Sequence, residues 1–332
     1  MIQQAAVLGA GSWGTALSLA LADRGVEVTL YGNDPVVRDD INGNRRNSKY
    51  LPEIDLPDGI AATVDMADVA DKPLILLVVP SQAARVVLTQ LSEVGVPKDS
   101  IILSCTKGID RQNGQLMHQL IGEIFPENPV AVLSGPSHAE EVARRMATLV
   151  TIGSEDPAVA GRIQNVFTLP WFRAYTNQDV IGIEVGSVLK NVFAIAAGAA
   201  DGLGLGDNVK AAMVTRGLAE MTRLGVAMGA KEETFRGLSG IGDLIVTCYS
   251  KHGRNNRFGR MLGEGMSPEE ALAAMDQVAE GVPNARNAYE LARKLGVRTP
   301  LIDEGYAVLH EGKPTAEALR QLLERNPRSE VD

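Results

Sequence analysis

A lysine inside a very apolar helical stretch is the residue whose surroundings point most directly to chemistry. Lys190 lies in the segment GSVLKNVFA at positions 186–194. Burying an uncompensated ammonium group is costly, so this lysine either pairs with a carboxylate or lines a polar cleft. Gly186, Ala194 and Gly198 share its helical stripe. This stripe allows two interpretations: room for a small substrate beside the lysine, or close helix packing with a structural lysine–aspartate pair.

A glycine motif near the start of the chain indicates a dinucleotide site. Gly9, Gly11 and Gly14 fit Gly-x-Gly-x-x-Gly between an apolar run and an alanine-rich helical stretch. The first glycine permits a tight turn, the second lets a pyrophosphate approach the backbone, and the third lets helix and strand pack closely. The order of strand, motif and helix disfavours a glycine turn without a ligand. Two later glycine clusters, at 202–206 and 237–242, follow no strand and are interpreted as an interhelical loop and a tight turn that leads into a helix.

Other polar residues are weak candidates when each is taken alone, because they are more often found on the surface or in helix caps. They are Lys107, the turn at 134–137, the pair Asp243 and Thr247 one helical turn apart, and Arg254 with Asn255. The histidines show no metal-ligand spacing and no paired acid nearby, so none is assigned to catalysis and no metal site is expected. These are His118, His138, His252 and His310.

Composition and charge narrow the class of protein. The 332 residues carry 32 Lys plus Arg against 41 Asp plus Glu, a net charge of −9, which disfavours nucleic acid or an anionic membrane as partner. The two cysteines, Cys105 and Cys248, form neither a disulfide framework nor a metal motif. No export signal and no membrane-spanning segment is recognised, so we expect a cytoplasmic protein.

Two domains are expected from the length and from a change in pattern along the chain. Residues 1–180 alternate β-branched runs with helical stretches, which predicts a doubly wound parallel sheet covered on both faces. Residues 181–332 predict an all-helical domain, with a cleft between the two as the expected site. The predicted strands are Ala5 to Gly9, Val26 to Tyr31, Leu74 to Val79, Ser100 to Cys105, Pro129 to Leu133, Val150 to Gly153 and Phe172 to Tyr175. The polar stretch Asp34 to Pro57 is expected to wrap the sheet edge as a helix and a loop.

Taken in order, these segments resemble the bacterial NAD(P)-dependent glycerol-3-phosphate dehydrogenases. The motifs that carry the resemblance are Gly9 to Gly14, Lys107-Gly108, the turn 134–137, Leu189-Lys190-Asn191, Gly240 to Asp243 and Arg254-Asn255. The resemblance implies a Rossmann-type domain followed by a helical substrate domain, a homodimer, and reversible reduction of dihydroxyacetone phosphate to sn-glycerol 3-phosphate. This product would supply glycerophospholipid synthesis.

The resemblance also implies roles for individual residues. Lys190 is similar to the family's proton donor and acceptor, Lys107 to a substrate-polarising lysine, and Asp243 would orient Lys190. The substrate contacts would be Lys107, Gly135, Ser137, Lys190, Asn191, Asp243, Thr247, Gly253, Arg254 and Asn255. The cofactor contacts would be Gly9, Gly11, Ser12, Trp13, Gly14, Asn33, Lys107, Ala139, Arg254, Val278 and Glu280. Gly253 departs from the serine of many members and Asn33 from a histidine or arginine, which puts one substrate contact in doubt.

Coenzyme choice rests on the residue that ends the second strand. An acid there selects NAD, but Asn33 is neutral, and Asp34 before Pro35 is expected to serve as a helix N-cap. Three arginines that follow could neutralise a 2′-phosphate: Arg38, Arg45 and Arg46. We therefore expect NADPH to be used at least as well as NADH. The alternatives are another two-domain hydroxyacid or 6-phosphogluconate-like dehydrogenase, and a dinucleotide-binding redox sensor without turnover.

Overall fold

The computed structural model describes residues 2–250, 253–275, 279–326 and 329, and its contacts divide the chain into two compact units, Met1–Glu184 and Val185–Asp332. The predicted boundary after residue 180 and this division both fall at the start of one helix, Val180–Gly202. The two units are described in turn.

The first unit is built on an eight-stranded sheet. Its strands are β1 (Gln4–Leu8), β2 (Glu27–Tyr31), β5 (Ile60–Thr63), β6 (Leu74–Leu77), β7 (Ile101–Ser104), β8 (Val130–Ser134), β9 (Thr148–Gly153) and β10 (Phe172–Asn177), in the order β10-β9-β8-β7-β6-β1-β2-β5. The remaining strands, β3 (Arg46–Asn47) and β4 (Leu51–Asp55), form a separate antiparallel hairpin. The predicted Rossmann-type sheet is confirmed.

One pairing departs from the predicted parallel sheet, because β8 and β9 run antiparallel. Helix α6 (Ala139–Ala143) lies between them in the chain and has only five residues. The chain re-enters the sheet from the same end, so β9 and β10, which are parallel to each other, run opposite to the other strands.

Helices cover both faces of the sheet. They are α1 (Ser12–Asp23), α2 (Pro35–Asn44), α3 (Ala67–Ala70), α4 (Ser81–Val94), α5 (Met117–Ile124), α6 and α7 (Pro157–Phe167). Successive residues of β1 enter different cores, with Ala5 and Val7 in one and Ala6 and Leu8 in the other. A strand buried on both faces has apolar residues at every position, which is why β1 shows no alternation in the sequence.

The segment at 34–57 was predicted only in part. A helix, α2, is present, but the expected loop contains the hairpin β3–β4. Strand β5 was not predicted, although it forms the sheet edge beside β2. Its sequence, IAAT, is only four residues long and half alanine, a residue that is depleted in strands, so it does not stand out.

The described part of the second unit is helical. Its elements are α8 (Val180–Gly202), which begins in the first unit, α9 (Gly206–Ala227), a 3₁₀ turn (Glu232–Arg236), a π-helical turn (Leu238–Gly242), α10 (Asp243–Tyr249), α11 (Arg254–Gly263), α12 (Pro268–Ala273), α13 (Gly281–Leu295), α14 (Pro300–His310) and α15 (Thr315–Leu323). The predicted all-helical domain is confirmed, and the two glycine clusters lie between α8 and α9 and in the π-helical turn. Helix α11 was missed because its sequence, RNNRFGRMLG, is polar and contains two glycines.

Helix α8 is long and apolar enough to span a membrane by length and composition alone. However, 89% of its most apolar window is buried inside the protein. This burial is typical of the core helix of a soluble protein, so the helix gives no support for membrane insertion.

Candidate active site

The glycine motif forms the turn from β1 into α1, and two of its glycines are required by the protein's own packing. Gly9 has a φ of +126°, and a Cβ there would lie 3.0 Å from the backbone of Val78. A Cβ on Gly14 would lie 1.9 Å from the carbonyl oxygen of Gly9. These two contacts explain the tight turn and the close approach of helix to strand.

Gly11 differs from its two neighbours in the motif. No described atom lies within 4 Å of a Cβ built on Gly11, which is the N-cap of α1. The space above this backbone is therefore open at a helix N-terminus, where backbone N–H groups favour an anion. This arrangement fits a dinucleotide pyrophosphate. Ser12 and Trp13, both half-buried, form the first turn of α1.

The end of β2 holds the residues that bear on coenzyme choice. Asn33 is exposed and follows Gly32, and Asp34 is the N-cap of α2, as predicted, with its carboxylate accepting from the N–H of Val36 at 3.0 Å. The hydrogen bond from Lys49, at 2.8 Å, and the bond from Val36 hold the pKa of Asp34 below its ordinary value. Asp34 is thus a paired carboxylate in this structure.

The arginines considered for a 2′-phosphate have other partners. Arg38 lies 2.6 Å from Asp39, and Arg46 lies 2.6 Å from Asp55. Arg45 donates to the carbonyl of Ile60 at 2.8 Å. Lys49, which no sequence motif marks, is the cation that contacts Asp34.

Lys107 lies in the loop after β7 and is half-buried. Its Nζ donates to the carbonyl of Gly135 at 3.3 Å, and the Ser137 hydroxyl donates to the same carbonyl at 2.9 Å. The structure therefore brings together three of the predicted substrate residues. Gly135 has a φ of +145°, and a Cβ there would lie 3.0 Å from Val150 Cα, so a side chain does not fit. Ala139 begins α6 a few residues further on.

Buried polar contacts fix the loop that carries Lys107. The hydroxyl of Thr106 donates to the carbonyl of Val79 at 2.8 Å. Three residues after Lys107, Asp110 is only 3% exposed, and its carboxylate accepts a hydrogen bond from Arg85 of α4 at 2.9 Å. Arg85 also contacts Glu123 of α5 at 2.7 Å. This network ties the loop to two helices, and nothing in the local sequence revealed it.

The second unit brings Lys190 and Asp243 together. The Lys190 ammonium donates to an Asp243 carboxylate oxygen, with 6% of Lys190 and 0% of Asp243 exposed. Gly186 explains this placement, because a Cβ there would lie 2.4 Å from the carbonyl oxygen of Ser239. Helix α8 therefore packs directly on the π-helical turn, and Asp243 begins α10 immediately after that turn. Lys190 lies one helical turn after Gly186 on α8. The predicted carboxylate partner of Lys190 is therefore present.

Reciprocal glycines bring α8 against α11. A Cβ on Gly198 would lie 2.0 Å from the carbonyl oxygen of Asn256, and one on Gly259 would lie 1.9 Å from that of Ile195. This close approach places the Asn255 amide 2.9 Å from Asn191 Oδ1. Asn255 in turn accepts from the N–H of Gly281 at 2.9 Å. The two asparagines predicted from the sequence thus form one buried, hydrogen-bonded chain.

These contacts decide between the two interpretations of the small-residue stripe. The expectation of room for a substrate was wrong for Gly186 and Gly198, because backbone atoms occupy the space beside both. The stripe allows close packing of helices, and the packing itself positions the lysine–aspartate pair.

The other predicted residues of this unit lie near the ends of helices. Thr247 is buried, and its hydroxyl donates to the Asp243 carbonyl at 2.6 Å. Gly253 is the N-cap of α11 and, as a glycine, supplies no side chain to cap the helix. Arg254 is the first residue of that helix and is exposed. Glu280 is the N-cap residue of α13. Val278 and His252 lie outside the described residues.

The histidines require one correction. His118 Nδ1 contacts the carboxylate of Glu184, whose other oxygen accepts from the His118 backbone N–H at 3.0 Å. Burial lowers the pKa of His118, but the hydrogen bond and charge of Glu184 raise it further, so the net shift is upward. The expectation that no acid lies near a histidine was therefore wrong, because 66 residues separate the two in sequence. Among the described residues no group of three or more His, Cys, Asp or Glu side chains could hold a metal ion.

A pocket of about 40 Å³ lies within the helical unit and is almost wholly apolar. Val192, Ile195, Leu301 and Val308 are among the residues that line it. The described lining residues include none of the predicted site residues, so this pocket does not mark the expected chemistry.

Comparison with known proteins places these features in a family. The model of the NAD-dependent glycerol-3-phosphate dehydrogenase N-terminus matches residues 4–160, and that of the C-terminus of the same family matches residues 179–320. Together the two matches include both the glycine motif and the Lys190–Asp243 pair.

Individual relatives agree over the full length. The chain is 46% identical over 334 residues to a Geobacter glycerol-3-phosphate dehydrogenase [NAD(P)+], with 99% of each chain covered. It is 47% identical over 330 residues to the enzyme of the same name from Bacillus cytotoxicus, covering 98% of this chain and 96% of that one. A crystal structure of glycerol-3-phosphate dehydrogenase from Coxiella burnetii is 39% identical, with a TM-score of 0.93 over 98% of this chain and 99% of that chain. The chain therefore belongs to the NAD-dependent glycerol-3-phosphate dehydrogenase family.

Proposed function

We propose that this chain catalyses the reversible reduction of dihydroxyacetone phosphate to sn-glycerol 3-phosphate with NAD(P)H. The observation that carries the proposal is the buried contact between Lys190 and Asp243 in a chain that matches this family over its full length. A buried lysine held by a carboxylate is suited to move a proton within a dry site.

The first unit would bind the dinucleotide. The open space at Gly11 fits the pyrophosphate, and Gly9 and Gly14 shape the turn that presents it. The nicotinamide supplies a hydride in reduction and accepts one in oxidation. Ser12, Trp13, Asn33, Ala139 and Glu280, together with Val278, Lys107 and Arg254, are the further cofactor contacts that we propose from the family resemblance.

Lys190 would carry the proton. A hydride that reaches a ketone carbon leaves an alkoxide, which requires a positive field and then a proton. The Lys190 Nζ would donate that proton to the alkoxide oxygen and take it back in the reverse direction. Asp243 contacts the same Nζ and would hold it in a fixed position. Lys107 would act as a second cation that polarises the carbonyl.

Recognition of the phosphate is proposed for Arg254. Its guanidinium presents a planar set of donors that matches phosphate oxygens, and it is exposed at the first turn of α11. The helix N-terminus adds donors that favour an anion. Gly135, Ser137, Asn191, Thr247 and Asn255, with Gly253 in place of the usual serine, complete the proposed substrate contacts.

The setting of the reaction extends this proposal. The family resemblance implies a homodimer that supplies glycerophospholipid synthesis in the cytoplasm. The net charge of −9 agrees with a protein that does not bind nucleic acid. Sedimentation or light scattering of the purified chain tests the dimer.

One titration separates this function from its alternatives. The loss of NADH or NADPH absorbance is followed with dihydroxyacetone phosphate, with 3-oxoacids and with no second substrate. The gain of that absorbance from NAD+ or NADP+ is followed with 3-hydroxyacids and with 6-phosphogluconate. We expect oxidation of the coenzyme only with dihydroxyacetone phosphate. Turnover only with a 3-oxoacid, a 3-hydroxyacid or 6-phosphogluconate would instead support the related dehydrogenases. Coenzyme binding without any turnover would support a redox sensor.

A further inference from the structure

We infer that Lys49 is the residue that selects NADPH in this chain, by neutralising Asp34 and binding the 2′-phosphate of the coenzyme. The inference rests on the proposed function, because it assumes that the glycine motif holds NAD(P). Lys49 was not a candidate in the sequence, and its role follows from where the hairpin β3–β4 places it.

The location of the 2′-phosphate follows from the sheet. In this fold the residue that ends the second strand, about 20 positions after the glycine motif, reads the ribose 2′ position. Here β2 ends at Tyr31 and is followed by Gly32, Asn33 and Asp34. Asn33 is neutral, so Asp34 is the acid nearest to this position in the chain.

An unpaired Asp34 would act against NADPH. A carboxylate accepts a hydrogen bond from the 2′-hydroxyl of NADH, whereas it repels a 2′-phosphate. In this structure one Asp34 oxygen accepts from the Val36 N–H at 3.0 Å, and the other accepts from Lys49 at 2.8 Å. Asp34 is therefore both occupied as a helix cap and neutralised by a cation.

The hairpin turn that carries Lys49 is tied to the cofactor loop itself. Asn47, only 1% exposed, donates to the carbonyl of Ala10 at 3.0 Å and to the hydroxyl of Thr15 at 2.8 Å. The N–H of Ser48 donates to Asp40 of α2 at 2.8 Å. These bonds hold the backbone next to Lys49 against both the glycine motif and α2, so the position of the lysine is fixed by two elements of the proposed cofactor site.

The ammonium of Lys49 remains accessible to a ligand. Its side chain is 57% exposed, and its Nζ also lies 5.4 Å from the centre of the Tyr50 ring. An ammonium has three donors, so Lys49 can bind a phosphate oxygen while it keeps its contact with Asp34. Arg38 and Arg46 are instead paired with Asp39 and Asp55. In the described segment 34–57, Lys49 is thus the cation that the structure pairs with Asp34.

The test is a pair of binding titrations on the full-length chain without substrate. The dissociation constants of NADPH and NADH are measured by calorimetry for the wild type, for Lys49→Met and for Arg46→Met. Arg46→Met is the matched control, because it removes a cation from the same hairpin that is paired with a different, exposed aspartate. Binding is measured directly, so a change in catalytic rate does not enter the result.

Lys49→Met is expected to weaken NADPH about 10- to 100-fold, the effect of losing one charge-assisted hydrogen bond, and to change NADH less than about threefold. Adding Asp34→Asn to Lys49→Met should recover part of the NADPH affinity, because the repelling carboxylate is gone. Arg46→Met should leave both constants within about twofold.

Equal losses for both coenzymes, or no loss for either, in Lys49→Met would overturn the assignment of Lys49. An equal effect of Arg46→Met on NADPH would do so as well, since the cation would then act through general charge alone. If the wild type bound neither NADPH nor NADH, the proposed function itself would be refuted.

Discussion

Replacing Gly186 with alanine should separate α8 from the π-helical turn and displace Lys190 from Asp243. The alanine Cβ would lie 2.4 Å from the carbonyl oxygen of Ser239 and 3.2 Å from its carbonyl carbon. An ordinary contact begins near 3.4 Å, so the helix or the turn must move by about 1 Å. The neighbour is backbone, which has no flexible end that could swing away.

The expected energy follows from two opposing effects. Alanine in a helix interior is more stable than glycine by about 1 kcal/mol. Overpacking a tight core contact costs about 1 to 3 kcal/mol. We therefore expect a net loss of about 0 to 2 kcal/mol in the free energy of unfolding. Because a shift of about 1 Å in a catalytic group can cost on the order of 10²-fold in rate, kcat should fall about 10- to 100-fold.

Gly305→Ala is the matched control in the same unit. Gly305 lies inside α14, and a Cβ there would lie 3.7 Å from a methyl group of Val192, which is ordinary contact. This variant should gain about 0.5 to 1 kcal/mol and keep its activity. Urea unfolding followed by circular dichroism and steady-state reduction of dihydroxyacetone phosphate provide the two measurements. A Gly186→Ala protein as stable and as active as the wild type would refute the packing described for α8.

Three further changes test other parts of the structure. Arg254→Leu should raise KM for dihydroxyacetone phosphate about 10- to 100-fold and barely affect unphosphorylated dihydroxyacetone, whereas equal losses would make Arg254 structural. Arg85→Met should lower the free energy of unfolding by about 3 kcal/mol, since the buried Asp110 loses its cationic partner, and Arg85→Lys should recover part of this loss. An unchanged urea midpoint for Arg85→Met would argue against the network. Burial raises the pKa of Glu220 to about 7. Between about pH 4.5 and 7 the folded chain therefore binds more protons than the unfolded chain. The free energy of unfolding should fall as the pH rises across that window, by up to about 3 kcal/mol. Glu220→Gln should flatten this dependence in urea titrations at several pH values, and an unaltered slope would rule Glu220 out as its source.

Local sequence patterns predicted most of the elements of the fold. Short apolar or β-branched runs marked seven of the eight sheet strands. The signal is strongest for β6 and β7, because strands buried on both faces are continuously apolar. The edge strand β5 and the antiparallel entry of β9 were missed for different reasons. The first is only four residues long and half alanine, and the direction of the second is set by how the chain connects it to β8 rather than by any residue within the strand.

The candidate site was predictable only where a residue type is unusual in its surroundings. Lys190 was recognisable because a lysine in an apolar helix must have a partner. Its partner, Asp243, lies 53 residues further along the chain, so no local pattern pointed to it. Its glycine stripe was open to two interpretations, since a glycine leaves space whether that space holds a substrate or another backbone. Lys49 gave no signal at all, because a lysine in a polar segment is ordinary, and its contact with Asp34 exists only once the hairpin has formed.

Lys190→Met compared with Lys210→Met is the most direct test of the central claim that Lys190 carries the proton. Lys210 is also buried and lies 2.5 Å from an aspartate, Asp201, so it controls for the loss of a buried lysine–aspartate pair. We expect Lys190→Met to lower kcat by about 10² to 10⁴ with the NADPH dissociation constant unchanged, and Lys210→Met to keep its kcat within about threefold. A Lys190→Met protein that retains more than about half of its activity would contradict the account.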